Sequence, residues 1–263
     1  MNDKDTQNLN GLRKTILEMV FNAKEGHIPS AFSILEILYV LYRDCLKFDP
    51  NSVKSEGRDY FVLSKGHAGA GLYAVLAHFG FFKTSDLLTY CQPGSPFGGH
   101  PDSLKVPGVE VCSGSLGHGI AMAVGIAMGL RIKKSKNKVV VLVGDGEMDE
   151  GSFWESIMMI KNQGLSNIVV IADHNSSQKY SNPFQYQEIL KAFGFETHNV
   201  NGHNLEDLSK TLKPLVRDTL KGPAFVHAKT TKGFGVQRFI GEHGWHRRTP
   251  TKQELDELFS ELQ

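Results

Sequence analysis

Two short runs of branched apolar residues constrain the fold of this chain more than any other feature. In Lys138-Val139-Val140-Val141-Leu142-Val143 and Asn167-Ile168-Val169-Val170-Ile171-Ala172, the lead polar residue is followed by an apolar stretch with no alternation. A strand with one wet face alternates apolar and polar side chains, so unbroken runs are expected of parallel strands covered on both faces. Each run ends in turn-forming or polar residues, Gly144-Asp145-Gly146 and Asp173-His174-Asn175, and a helical stretch from about Gly151 to Gln163 lies between them. The alternation predicts an α/β fold: a doubly wound, mostly parallel sheet with helices on both faces and ligands at the carboxyl ends of its strands.

The flanking sequence extends the pattern. Leu12, Ile16, Met19 and Val20 recur at helical spacing, and a second apolar helix covers Ile34 to Leu41 beyond a predicted loop, Gly26-His27-Ile28-Pro29-Ser30. Asp59 to Leu63 reads as a strand that turns at Ser64-Lys65-Gly66-His67 into a helix through Leu72 and Phe79. Cys91 to Gly119 is rich in Gly, Pro and Ser, and so long an irregular stretch inside a compact domain is usually functional. Ala121, Gly125 and Gly129 predict a helix packed close to its neighbours, and Phe153, Met158 and Met159 are assigned to the core. Apolar segments at Phe195–Val200 and Ala224–Ala228 flank a helix from Leu205 to about Leu220, and a last helix runs from Lys252 to Leu262.

With 29 basic and 28 acidic residues and no long block of like charge, the sequence indicates neither a nucleic-acid surface nor a polybasic membrane anchor. Cys45, Cys91 and Cys112 lack paired spacing and are expected to be reduced, part-buried packing residues. The polar N-terminus and the absence of a long apolar run predict a cytoplasmic location. No GxGxxG follows the first strand, which argues against a nicotinamide-binding fold.

Asp145 and Asn175 each stand just past a buried strand, one strand–helix–strand unit apart, so adjacent parallel strands would bring both to one sheet edge. A carboxylate and an amide oxygen suit Mg²⁺, which takes hard oxygen ligands and usually completes its shell with phosphate and water. Gly144 and Gly146 allow main-chain N–H groups to approach a diphosphate. A lone Gly-Asp-Gly is an ordinary turn, but the matched Asn175 favours the cation and diphosphate reading. Lys65 could neutralise phosphate or be a solvated surface lysine.

The segment Gly144-Asp145-Gly146-Glu147-Met148-Asp149-Glu150-Gly151, followed by Asn175, resembles the thiamine-diphosphate motif of transketolases. Gly26-His27, Asp59 to His67, Gly99-His100-Pro101, Gly114-Ser115-Leu116-Gly117, Lys229 to Gly233 and Trp245-His246 match that family's pattern in order, over nearly the whole chain. The resemblance implies that Asp145, Asn175 and the main-chain carbonyl of Ser177 ligate Mg²⁺, or Ca²⁺ or Mn²⁺ in its place. It implies that Gly146 contacts the diphosphate, with Ser30, His67 and Lys232 near the cofactor. Gly114, Ser115 and Leu116 would line the cofactor rings. His27, His100 and His246 would face the sugar, where imidazole can move protons near neutral pH. Glu150 resembles the family's interface glutamate. Arg247 follows His246 where the family usually has glycine, and His243 offers a competing side chain.

In this family the glutamate that activates the aminopyrimidine comes from a second, pyrimidine-binding domain. Residues 1–263 are expected to form only the diphosphate-binding domain, with the pyrimidine-binding and C-terminal domains on a partner chain in an α₂β₂ assembly acting on sugar phosphates. The alternatives are another thiamine-diphosphate component, either deoxyxylulose-phosphate-synthase-like or part of a 2-oxo-acid dehydrogenase, and a non-catalytic cofactor-binding homologue.

Overall fold

The computed structural model describes residues 3–176 and 186–262, so Ser177 lies outside the described residues. Three helices come first: α1 (Asp3–Ala23), α2 (Ile28–Phe32) and α3 (Leu35–Val40), the last running on through a wide turn at Leu41–Cys45. Strand β1 (Tyr60–Leu63) leads through a short turn at Gly66–Ala68 into α4 (Gly69–His78), and the irregular stretch ends at α5 (His118–Ile132). Then follow β2 (Val139–Gly144), α6 (Gly151–Asn162), β3 (Ile168–His174), α7 (Tyr186–Ala192), β4 (Glu196–Asn201), α8 (Leu205–Arg217), β5 (Ala224–Lys229) and α9 (Lys252–Glu261).

The five strands form one sheet in the order β1-β2-β3-β5-β4, every neighbouring pair parallel. Successive side chains of a strand point to opposite faces, and this sheet separates two apolar cores accordingly. Val140, Leu142, Val169, Ile171, Ala224 and Val226 enter one core with α1, α4, α8 and α9. Val139, Val141, Val143, Ile168, Val170 and Phe225 enter the other with α5, α6 and α7. Every residue of β2 is buried, and at about 1.5–3 kcal/mol per fully buried branched side chain this strand anchors both layers. A charge at Val141 would break the layer shared with α5, α6 and α7.

Several local expectations differ from the structure. Ile28, Pro29 and Ser30 belong to α2, because Pro29 occupies an early helical position where its missing N–H costs nothing. Gly125 and Gly129 do not approach a neighbour, since a Cβ at either meets nothing within 4 Å, and Ala121 is exposed beside them. Met158 and Met159 are 51% and 45% exposed and therefore not core, while Phe153 is buried. The difference arises because α6 is apolar on two faces and the sheet covers only one. All three cysteines are free, but Cys112 is exposed, not part-buried.

Candidate active site

The sheet register places Gly144 opposite Asp173, so the chain leaves β2 and β3 at the same level. Asp145 and Asn175 therefore stand at adjacent carboxyl ends and line one cavity of about 320 Å³. His27, Ser30, Lys65, His67, His100, Gly114, Leu116, Gly146, Lys232 and His246 line the same cavity, together with Glu147 and Arg247. Ser115 is exposed and outside this lining, and Glu150 is exposed at the start of α6.

Each wall has a local cause. Asp145 follows β2 with helical backbone angles, φ −58° and ψ −47°, and its Oδ1 accepts from the N–H of Gly146 at 2.9 Å. The carboxylate is only 3% exposed. Asn175 donates through Nδ2 to Asp173 Oδ2 at 2.9 Å and to Ser33 Oγ at 3.2 Å, which turns its Oδ1 away from Asp173. At Gly66 a Cβ would come within 2.9 Å of the Gly114 nitrogen, so only glycine lets the turn after β1 touch the Gly114 strip. His100 packs over Gly114, and Tyr73 donates its hydroxyl to the His100 carbonyl at 2.9 Å, fixing that loop.

Beneath the cavity lies a buried polar layer that was largely illegible in the sequence. Lys65 is not a surface residue: it is 2% exposed and ion-paired with Asp173, which is fully buried. Asp173 also accepts from Ser33 Oγ at 2.6 Å and from Thr230 Oγ1. Burial alone would raise the Asp173 pKa, but the Lys65 charge and these donors hold it below the usual carboxylate value. Glu147 is 1% exposed and accepts from Ser64 Oγ, from Gly117 N at 2.8 Å and from Gly144 N at 3.1 Å. It ties the ends of β1 and β2 to the first turn of α5, and burial pushes its pKa up despite those donors. Behind the Lys232 loop, His203 donates to Glu36 at 2.9 Å, accepts from the Thr231 N–H at 2.8 Å and stacks on Phe234 at 3.7 Å. Lys65, Glu147, Thr230 and Thr231 fall within the family-matched segments, but nothing in the sequence showed that these groups would be buried together.

The imidazoles converge from separate segments. The ring centroids of His27 lie 5.4 Å from His67 and 5.1 Å from His246. Lys232 Nζ is 2.9 Å from His246 Nδ1, and the Nε–H of Arg247 donates to His27 Nε2 at 3.2 Å. Burial, helped by the neighbouring charges of His246 and Arg247, lowers the His27 pKa to about 4. Burial and then Lys65 lower that of His67 to about 2. Both rings are neutral at physiological pH.

Among the described residues no group of three or more His, Cys, Asp or Glu side chains can hold a metal by itself. One buried carboxylate and one amide oxygen instead fit a hard cation that takes its remaining ligands from phosphate and water. Lys232 on the cavity wall adds positive charge toward a diphosphate, whereas the charge of Lys65 is paired with Asp173. A larger cavity, about 800 Å³, opens beyond the ends of β4 and β5 around Asn201, His203 and His227, and contains neither Asp145 nor Asn175.

The chain is similar to known proteins over nearly its whole length. A family model described as "Transketolase, thiamine diphosphate binding domain" matches residues 4–262. The chain is 36% identical over 256 residues to one of the subunits of an apulose-4-phosphate transketolase from Phocaeicola vulgatus, covering 95% of this chain and 90% of that protein. It is 32% identical over 260 residues to a 6-deoxy-6-sulfo-D-fructose transketolase subunit of Clostridium sp., covering 97% and 94%. A crystal structure of a transketolase mutant from Pichia stipitis superposes with a TM-score of 0.89 at 26% identity. That match covers 99% of this chain and 41% of the solved one.

Proposed function

The chain belongs to the transketolase family, as its thiamine diphosphate binding domain, and from that premise we propose that it is the cofactor-binding subunit of a two-component transketolase. The enzyme would move a two-carbon ketol unit from a ketose donor to an aldose acceptor. The observation that carries this reading is the single cavity shared by Asp145, Asn175 and four histidines drawn from different segments. When bound, thiamine diphosphate supplies the carbanion chemistry that breaks and makes the ketose carbon–carbon bond.

The chain's own groups have distinct tasks in this proposal. Asp145 and the Asn175 oxygen hold Mg²⁺, with the Ser177 carbonyl as third ligand. The Gly146 N–H and Lys232 meet the diphosphate, and Ser30 and His67 stand beside it. Gly114, Ser115 and Leu116 face the cofactor rings. Burial holds both His67 and His27 neutral, so His67 meets the cofactor and His27 the sugar hydroxyls as uncharged hydrogen-bonding groups. His100, on the exposed side of Gly114, and His246 exchange protons with the substrate.

A partner supplies what the second domain provides in full-length relatives, the glutamate on the aminopyrimidine. Two relatives support a split enzyme: their names describe subunits, and this chain spans 90% and 94% of their lengths. Those names also carry a phosphate and a sulfo group, which supports sugars with an anionic terminus. Self-association into an α₂β₂ assembly is supported by the exposed apolar face of α5 and α6, with Ile132 at 76%, Met158 at 51% and Met159 at 45% exposure. Glu150, exposed at the start of α6, would couple paired sites. Among the described residues no helix is long and apolar enough to cross a membrane, and we place the enzyme in the cytoplasm.

The test is a titration of the chain, with and without its partner subunit, by thiamine diphosphate and Mg²⁺ while ketol transfer is followed. Transfer that requires both chains and both ligands is expected. Transfer by the 263-residue chain alone would sink the two-component reading, and pyruvate consumption with carbon dioxide release would move the enzyme to a different thiamine-diphosphate class.

A further inference from the structure

Two arginines follow His246, and their surroundings differ. Arg248 is ion-paired with Glu254 and lies 4.1 Å over the ring of Trp245. Arg247 lines the cavity, is exposed, and makes no ion pair among the described residues. Its hydrogen bond goes to an uncharged partner, the Nε2 of His27 at 3.2 Å. That bond uses Nε alone, so the two Nη amino groups stay available as a planar fork, the shape that receives two oxygens of one anion.

The charges along the cavity do not call for this arginine as a structural cation. Lys65 is already neutralised by Asp173, and Lys232 is held against His246 at 2.9 Å. Arg247 joins the wall through His27, whose ring is flanked by His67 and His246. Among the described residues, no hydrogen bond or ion pair ties it to Asp145 or Asn175, the end at which the diphosphate is proposed to bind. A guanidinium beside the histidines of such a cavity has the chemistry to hold a second anion.

We propose that Arg247 is a specificity-determining residue that receives the phosphate or sulfonate of the sugar through its Nη groups while its Nε–H keeps Nε2 of His27 as an acceptor. The proposal deepens the transketolase reading above and rests on it for the identity of the sugar. Its two functions are linked by geometry. An N–H aimed at Nε2 leaves the ring proton on Nδ1, so His27 is presented to the substrate as one tautomer. The groups facing that ring are His67, His100, His246, Lys232 and Arg247, and none is an acid that would favour protonation. Docking of the anion on the guanidinium therefore sets where the sugar lies relative to an imidazole of fixed polarity.

The experiment compares the wild-type two-chain enzyme with Arg247→Gln and Arg247→Lys. For a phosphorylated sugar, Arg247→Gln is expected to raise KM by roughly 10- to 100-fold, the usual loss for a charge-assisted bidentate contact. Because the same residue fixes the tautomer of His27, kcat should fall for phosphorylated and unphosphorylated sugars alike, whereas thiamine diphosphate affinity and the KM of the matching unphosphorylated sugar should stay close to wild type. Arg247→Lys, which keeps the charge and loses the fork, should fall between. An equal change in KM for charged and uncharged sugars, or weaker cofactor binding, overturns the assignment. A second arm does not depend on turnover: ring nitrogen NMR of the full chain during titration with inorganic phosphate. His27 should report an unprotonated Nε2 and respond to phosphate in the wild type, and lose that response in Arg247→Gln. A response that survives the substitution refutes the anion site, whereas failure of ketol transfer with this arm intact refutes only the transketolase reading.

Discussion

The carboxyl edge of the sheet and the outer face of α5 and α6 invert the usual distribution of residues in opposite ways. At the edge, charged side chains are buried: Lys65, Asp145, Glu147 and Asp173 are each no more than 3% exposed. On the outer face, apolar side chains are exposed, with Met158, Met159 and Ile132 in contact with water and two glycines opening the surface of α5. Each inversion carries a cost. Buried charge is tolerated only when paired or used, and exposed apolar surface is favourable only when something covers it. On the reading proposed above, the two regions await different things, a charged small ligand at the edge and another protein on the face.

The comparison can be broken in several places, and Lys65→Met is expected to act most strongly. It strands Asp173 without its counter-ion, and removing one partner of a buried pair typically costs about 3–5 kcal/mol. Urea unfolding checks this, and a loss below about 1 kcal/mol would mean that the edge is not organised around the pair. Asp145→Ala should leave the fold intact and weaken Mg²⁺-dependent thiamine diphosphate binding by at least about 100-fold, above the range for an outer-shell partner. Calorimetry decides it, and unchanged affinity removes the metal assignment.

Effects on the other region are smaller. Met158→Glu should weaken self-association by roughly tenfold, as expected when one buried apolar side chain is replaced by a charge. Sedimentation velocity of the two-chain enzyme reads this, and an unchanged assembly would show that the face is not covered by a second copy. The smallest expected effect is on pH dependence. His67 titrates near 6.5 in an unfolded chain and is lowered to about 2 in the fold. Between those values the unfolded state binds the extra proton, so stability falls as pH drops below about 6.5. Urea midpoints at about pH 7.5 and about pH 5 should therefore diverge, and His67→Gln should shrink the difference. His27, lowered to about 4, retains part of it. An identical pH slope in the variant would place His67 in a wetter site than the structure describes.

Much of this was legible in the order of residues. Short unbroken apolar runs rich in β-branched residues and ending in turn signals are expected of strands covered on both faces, and β2 and β3 follow from that reading, with β1 and β5 read from shorter apolar segments. The Asp145 and Asn175 pair was legible because parallel neighbours leave the sheet at the same edge. Residues at strand ends, however, do not announce their partners. Lys65 read equally well as a solvated lysine, and Glu147 as one acid among several, since burial of a charge depends on what the rest of the chain folds over it. Met158 and Met159 were assigned to the core because periodicity identifies an apolar face without saying whether the molecule has anything to put against it.

The sequence by itself therefore determined the layered parallel architecture and the edge at which chemistry collects, because both follow from local pattern and the two-residue repeat of a strand. Only the tertiary structure decided which charges are buried together, which histidines meet, that Arg247 reaches His27 across 220 positions, and which apolar face of α6 remains outside. Those outcomes depend on long-range packing, where contact is set by how helices from distant segments settle on one sheet, and no local pattern encodes that distance.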